Sequence, residues 1–333
     1  MADPRPTLSA PDDDPYLWLE EVEGARATAW VDAQSGRTLG RLADGRYSAD
    51  RDALLALLDR PDNLPVPRRR GGLLYNYWRD AASPRGLWRR TTMESFRSPA
   101  PEWDLLLDLD ALALAEGEDW VWHGAATLPP GHGLALVRLS RGGSDAVVLR
   151  EFDVERRAFV SGGFVLAEAK GGADWIDADT LVLSSAIGGR TKSGYARTVR
   201  LWHRGRAWDA EAPVFETDET NISAWADYDR MADRLVFAEG PDMLNANVWL
   251  GDRTGPGQKL DLPTDAAYVW ERRWLAVRPR TPWEVGGRIV APDSVAVIEF
   301  EASWRAGGIC GWCSSRGRGG RCRGSSGRRG GWS

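Results

Sequence analysis

Residues 134–152 read LALVRLSRGGSDAVVLREF, two apolar runs around a Gly-rich turn. Leu134, Leu136, Val137 and Leu139 form the first run; Val147, Val148, Leu149 and Phe152 form the second. Both are rich in branched residues and too short to make good helices, so they read as paired strands. Arg141-Gly142-Gly143-Ser144-Asp145 between them accepts positive φ, which predicts a tight antiparallel hairpin.

The same unit recurs on both sides. Strands are predicted over 73–78, 87–92, 103–109, 134–139, 146–152, 159–166, 180–184, 198–203, 214–216, 234–238, 247–251, 274–277, 288–291 and 295–300. Turn-rich stretches such as Asp177-Ala178-Asp179, Gly188-Gly189, Arg204-Gly205 and Gly255-Pro256-Gly257 separate them, and no helix is expected there for more than 200 residues. Residues 179–205 and 233–253 share a pattern of Asp, short strand, Trp-containing strand and a basic turn. A spacing of about 50 residues fits four-stranded propeller blades. The fold class is therefore all-β, with residues 69–306 supplying about five blades.

Upstream, residues 1–13 are Pro- and Asp-rich and read as disordered. A short helical segment is expected over 14–68. Its first helix runs from Gly24 to Leu42; its second is capped by Ser48 or Asp50, with Leu54, Leu55, Leu57 and Leu58 as its apolar face. Pro65-Val66-Pro67 and the basic run Arg68-Arg69-Arg70 mark the change from helical to strand periodicity.

The chain has 333 residues and a net charge of −5. Residues 307–333 carry six arginines and no acid, so the body before them stands at −11, which argues against nucleic acid as a partner. All three cysteines, Cys310, Cys313 and Cys322, lie in that tail, which excludes a disulfide framework for the body. No run approaches the roughly 18 apolar residues of a membrane span. A cytoplasmic location is the default expectation.

Asp14-Pro15-Tyr16-Leu17-Trp18-Leu19-Glu20 resembles the N-terminal signature of the prolyl oligopeptidase family of serine peptidases. The stretches VWHGAATLPPGHGLALVRLSRGGSDAVVLREFD (121–153), GFVLAEAKGGADWIDADTLVL (163–183) and TKSGYARTVRLWHRG (191–205) resemble that family's propeller. The resemblance implies an N-terminal helical segment, a seven-bladed propeller and a following α/β-hydrolase domain that cleaves short peptides after proline. It implies that the propeller acts as lid and size filter. It also implies that about two blades and the catalytic domain are missing here, leaving an incomplete propeller. Such a chain is expected to be inactive alone and to associate through open sheet edges. A free-standing propeller that binds peptides or a protein partner is the alternative.

A peptidase of this type needs a serine on a strand-to-helix elbow with a histidine base. Gly142-Gly143-Ser144-Asp145-Ala146 comes nearest, but the apolar run behind it is a strand, so Ser144 reads as a hairpin residue. His123, His132 and His203 have no serine and acid in a usable order, and no catalytic residue is assigned. Residues 189–194 (GRTKSG) lack the spaced glycines and following helix of a phosphate loop. Cys310, Cys313 and Cys322 lack a fourth metal ligand, so neither metal nor cofactor is expected. Arg316-Gly317-Arg318 and Arg328-Arg329-Gly330 resemble RNA-binding Arg-Gly tails. A reading-frame change near Gly307 explains the whole tail better. With 40 Arg to 3 Lys, the coding sequence reads as GC-rich, and other frames of such a sequence give Gly, Arg, Ser, Cys and Trp.

Overall fold

The computed structural model describes residues 14–21, 24–60, 64–271, 273–285, 287–299 and 313–314. The chain divides into two compact units: residues 1–64 with 79–84, and residues 65–78 with 85–333.

The first unit is helical. Trp18 donates its indole N–H to the Pro15 carbonyl at 2.9 Å and meets Trp30 edge-on at 6.3 Å, with the Arg26 guanidinium over its ring. Trp30 lies on α1 (Ala25–Leu42), and α2 (Gly45–Leu58) follows. The α2 cap is Asp44, whose carboxylate accepts the Tyr47 N–H at 3.0 Å. Ser48 and Asp50, the expected caps, lie inside the helix, because the chain begins to coil directly after Ala43-Asp44. Leu54, Leu55, Leu57 and Leu58 are all more than half exposed. The loop 79–84 is held by Asp80, which accepts the Ala82 and Ser83 N–H groups.

The second unit is a succession of five four-stranded antiparallel blades among the described residues. Blade one is β1 (Arg68–Arg70), β2 (Leu73–Trp78), β3 (Leu87–Thr92) and β4 (Asp104–Asp108), with α3 (Met93–Phe96) between β3 and β4 and α4 (Leu109–Glu116) after it. Blade two is β5 (Trp120–Thr127), β6 (Leu134–Arg141), β7 (Ala146–Asp153) with the two-residue β8 (Ala158–Phe159) beside it, and the first half of β9 (Val165–Asp177). Blade three takes the second half of β9, then β10 (Thr180–Ser185), β11 (Thr198–His203) and β12 (Phe215–Glu216). Blade four is β13 (Ser223–Asp229), β14 (Arg234–Gly240), β15 (Asn247–Asp252) and β16 (Gly255–Lys259). Blade five is β17 (Ala267–Glu271), β18 (Trp274–Arg278), β21 (Ala296–Glu299) and β22 (Cys313–Ser314), with the hairpin β19 (Trp283–Val285) and β20 (Arg288–Val290) inserted.

Residues 134–152 form the expected hairpin. Leu139 pairs with Val148, and Gly142 and Gly143 make the turn with φ of 61° and 84°. Alternation then does the packing, because successive side chains leave a strand on opposite faces. On β6, Ala135, Val137 and Leu139 join Tyr75, Trp88 and Leu106 of blade one, whereas Leu136 joins Leu183 and Trp202 of blade three. Blades three and four share a layer that includes Val182, Leu201, Leu235 and Phe237. Blades four and five share one that includes Val236, Leu250, Leu275 and Ile298. Each fully buried leucine contributes about 1.5–3 kcal/mol. The core is therefore four layers between five sheets.

β9 is one strand serving two blades. Its residues up to Lys170 pair with β7, and its residues from Gly171 pair with β10. Gly171 has φ 102° and lies against the Ser184 carbonyl with no room for a Cβ, so only glycine fits the hand-over.

The structure corrects three expectations. A helix does follow residue 60: the strand read as 103–109 ends at Asp108, which caps α4 by accepting the Ala111 N–H, and Gly117 at φ 68° ends it. The strand read as 159–166 is two, broken by the turn at Gly162 (φ 69°). Strands β5, β13 and β17, the first of their blades, carry polar residues and were not expected. Residues 1–13, Cys310, Cys322 and both Arg-Gly runs lie outside the described residues; Cys313 and Ser314 pair with Val297 and Ala296.

Candidate functional site

The residues singled out as possible chemistry are held by local structure. The Ser144 hydroxyl donates to the Ala146 carbonyl at 3.2 Å and its N–H to the Arg141 carbonyl, as a hairpin turn requires. His132 shares a 2.8 Å hydrogen bond with Thr127, and His203 one of 3.4 Å with Thr180. Among the described residues no serine hydroxyl is hydrogen-bonded to a histidine. In the stretch 189–194, Thr191 and Ser193 both donate to the Ile222 carbonyl, and Lys192 faces Glu219 at 3.5 Å. These three side chains are thus committed within the protein. Among the described residues no cluster of His, Cys, Asp or Glu is arranged to hold a metal.

The polar groups that do gather belong to the first strands of the blades. Asp174 on β9, Asp227 on β13 and Tyr268 on β17 interact in sequence from blade three to blade five. Asp227 meets solvent, and partial desolvation by the surrounding protein, with the Asp174 charge, raises its carboxyl pKa. Burial first, and the Asp227 charge second, push the Tyr268 hydroxyl up to about 12.

Because the folded state holds the Asp227 proton more tightly than the unfolded chain does, stability falls as pH rises from about 3.9 through the raised value. Asp227→Asn is therefore expected to stabilise the protein at pH 7, by less than about 1 kcal/mol since the carboxyl also meets water. The gain should vanish near pH 3. Urea melts of the two proteins across pH 3–8 measure it, and a pH-independent difference would contradict it.

A pocket of about 340 Å³ lies between blades one and two. Arg68 and Arg70 of β1, His123 and Gly124 of β5, and Arg138 of β6 line it, with Tyr75, Tyr77, Trp88 and Trp122 as its aromatic wall. Tyr77 and Trp122 stack at 4.9 Å with planes 6° apart. A register shift between Trp122 and Gly124 sets His123 in a bulge. Gly124, at φ 115°, a conformation that favours glycine, pairs with Arg138 across the two strands. His123 is thus placed at the pocket, while His132 and His203 are not among its lining residues. Sequence reasoning took Arg68 and Arg70 as a boundary marker and missed Arg138, whose setting depends on pairing across 14 residues to Gly124.

The family description "Prolyl oligopeptidase, N-terminal beta-propeller domain" matches residues 10–262. An uncharacterized peptidase of Sinorhizobium fredii is 40% identical over 278 residues, covering 80% of this chain and 38% of the relative. One of Rickettsia prowazekii is 26% identical over 308 residues, covering 85% of this chain and 42% of its own length. The chain thus spans about two fifths of the curated relatives it matches. Among solved structures, a post-proline cleaving enzyme from Rickettsia typhi aligns over 85% of this chain and 44% of its own, with a TM-score of 0.76 and 25% identity. Oligopeptidase B from Leishmania major, 14% identical, shares the fold over 86% of this chain and 40% of its own at a TM-score of 0.61. With blades, aromatic layers and these likenesses in agreement, the chain belongs to the prolyl oligopeptidase family, within that family's N-terminal β-propeller region.

Proposed function

We propose that this chain is the propeller portion of a prolyl oligopeptidase-type serine peptidase, acting as a lid and size filter for short proline-containing peptides, and that alone it cleaves nothing. The observation that carries the reading is the succession of blades within the matched region, combined with histidines bonded to threonines rather than to serine. The exposed leucines of α2 support it as well, since four solvated leucines on one short helix are costly without a covering surface. The face of blade five that carries Val269, which is 64% exposed, invites a further sheet in the same way.

The purified chain, incubated with a Gly-Pro chromogenic reporter, is expected to release product at the rate of the buffer blank. Turnover that co-purifies with the protein through two chromatographic steps would overturn the proposal.

A further inference from the structure

The pocket between blades one and two holds arginines without anions. About half of the described guanidiniums on the blades pair with carboxylates, among them Arg85 with Asp119, Arg90 with Asp104 and Glu155, Arg141 with Glu118 and Glu168, and Arg150 with Glu116. In a body with eleven excess negative charges, carboxylates are plentiful. Yet among the described residues Arg68, Arg70 and Arg138 have no carboxylate partner. Arg70 reaches only the Arg69 carbonyl, at 3.4 Å. The Nε of Arg138 is fully buried with no hydrogen-bond partner at all. A buried, unsatisfied donor on a charged group is costly and points to a missing acceptor. The positive field is also felt at His132, whose pKa is lowered by burial and then by the Arg70 charge.

The aromatic wall says what the acceptor is attached to. Trp122 stacks on Tyr77, with the buried Trp88 5.6 Å from it, so flat apolar surface lines the same pocket as the guanidiniums. At about 340 Å³ the pocket is at the small end of ligand-binding clefts, and it would take one end of a chain rather than its middle. Every short peptide admitted by a size filter brings a free α-carboxylate, and a guanidinium fork matches that group in two parallel hydrogen bonds.

We propose that this pocket binds the C-terminal carboxylate of short peptides ending in an aromatic or proline residue, with Arg70 and Arg138 on the carboxylate and the stacked Tyr77 and Trp122 against the ring. The peptide identity rests on the proposed filter role; the preference for an organic anion does not.

Isothermal titration of the full chain with N-acetyl-Ala-Ala-Phe as free acid, with the same peptide as C-terminal amide, and with inorganic phosphate tests it. The free acid is expected to bind at least about tenfold more tightly than the amide, the loss expected for a charge-assisted pair of hydrogen bonds. Arg138→Met and Arg70→Met are expected to erase the difference. Arg68→Met, at an exposed position, is expected to weaken the acid and leave the amide unchanged. Equal affinity for acid and amide, no binding of either, or phosphate binding as tightly as the peptide acid would overturn the site. Hydrolysis of the Gly-Pro reporter would overturn the filter role yet leave the acid-over-amide preference standing.

Discussion

Replacing Arg204 with alanine is expected to destabilise the second unit by about 3–5 kcal/mol, the loss typical of breaking a buried ion pair from one side. Glu151 on β7 has a side chain 1% exposed and holds Arg204 with two parallel bonds of 2.9 Å. The same carboxylate accepts the Phe164 N–H at 2.9 Å. Arg204 follows β11, so this pair fastens blade three to blade two. Without the guanidinium, a carboxylate that has lost most of its hydration keeps a single donor. A midpoint shift in urea at constant slope reports the loss. Replacing both partners, Glu151→Leu with Arg204→Met, should recover part of it, because an apolar pair leaves no orphaned charge. A single-variant loss below about 1 kcal/mol would mean that the pair is behaving like a surface contact.

Trp175→Ala is expected to cost about 3–5 kcal/mol in the same experiment. Trp175 is 1% exposed in the layer between blades two and three, and its indole donates to the Ala126 carbonyl at 2.8 Å. Truncation leaves a cavity bounded by Leu136, Leu166 and Leu183 and strips that carbonyl of its donor. Trp175→Phe should cost less, since it keeps most of the ring volume. Phe164 connects this site to the first: its ring lies 6.0 Å from Trp175 and 4.7 Å from the Arg204 guanidinium. The two losses should therefore fail to add by more than about 0.5 kcal/mol. Strict additivity would show that the phenyl ring transmits nothing between them.

The strands most plainly legible in the sequence are those buried on both faces. β6 and β7 alternate between two hydrophobic layers, so their apolar runs are nearly continuous and branched. β5, β13 and β17, the first strands of their blades, escaped notice because their sequences mix polar and apolar residues. Trp120-Val121-Trp122-His123-Gly124 and Ser223-Ala224-Trp225-Ala226-Asp227 mix indole, imidazole, glycine and carboxylate in ways that match neither period well. The short helix α4 was legible after all, with Asp108 as its cap and Gly117 as its stop, but Leu105, Leu106 and Leu107 just before it drew the strand reading too far. The pocket was hidden for a different reason. An arginine becomes informative only when its partners are known to be absent, and partners come from other blades. Ser144, by contrast, could be set aside from sequence, because the apolar run behind it already specified a strand.

A duplication or loss of one blade needs a seam where the cut severs only a loop. Between blades two and three there is no such seam, because every crossover point within 165–177 falls inside a hydrogen-bonded ladder owned by one neighbour or the other. Shuffling of these repeats must move the two together, and a single break in the backbone near Gly171 would cripple both at once.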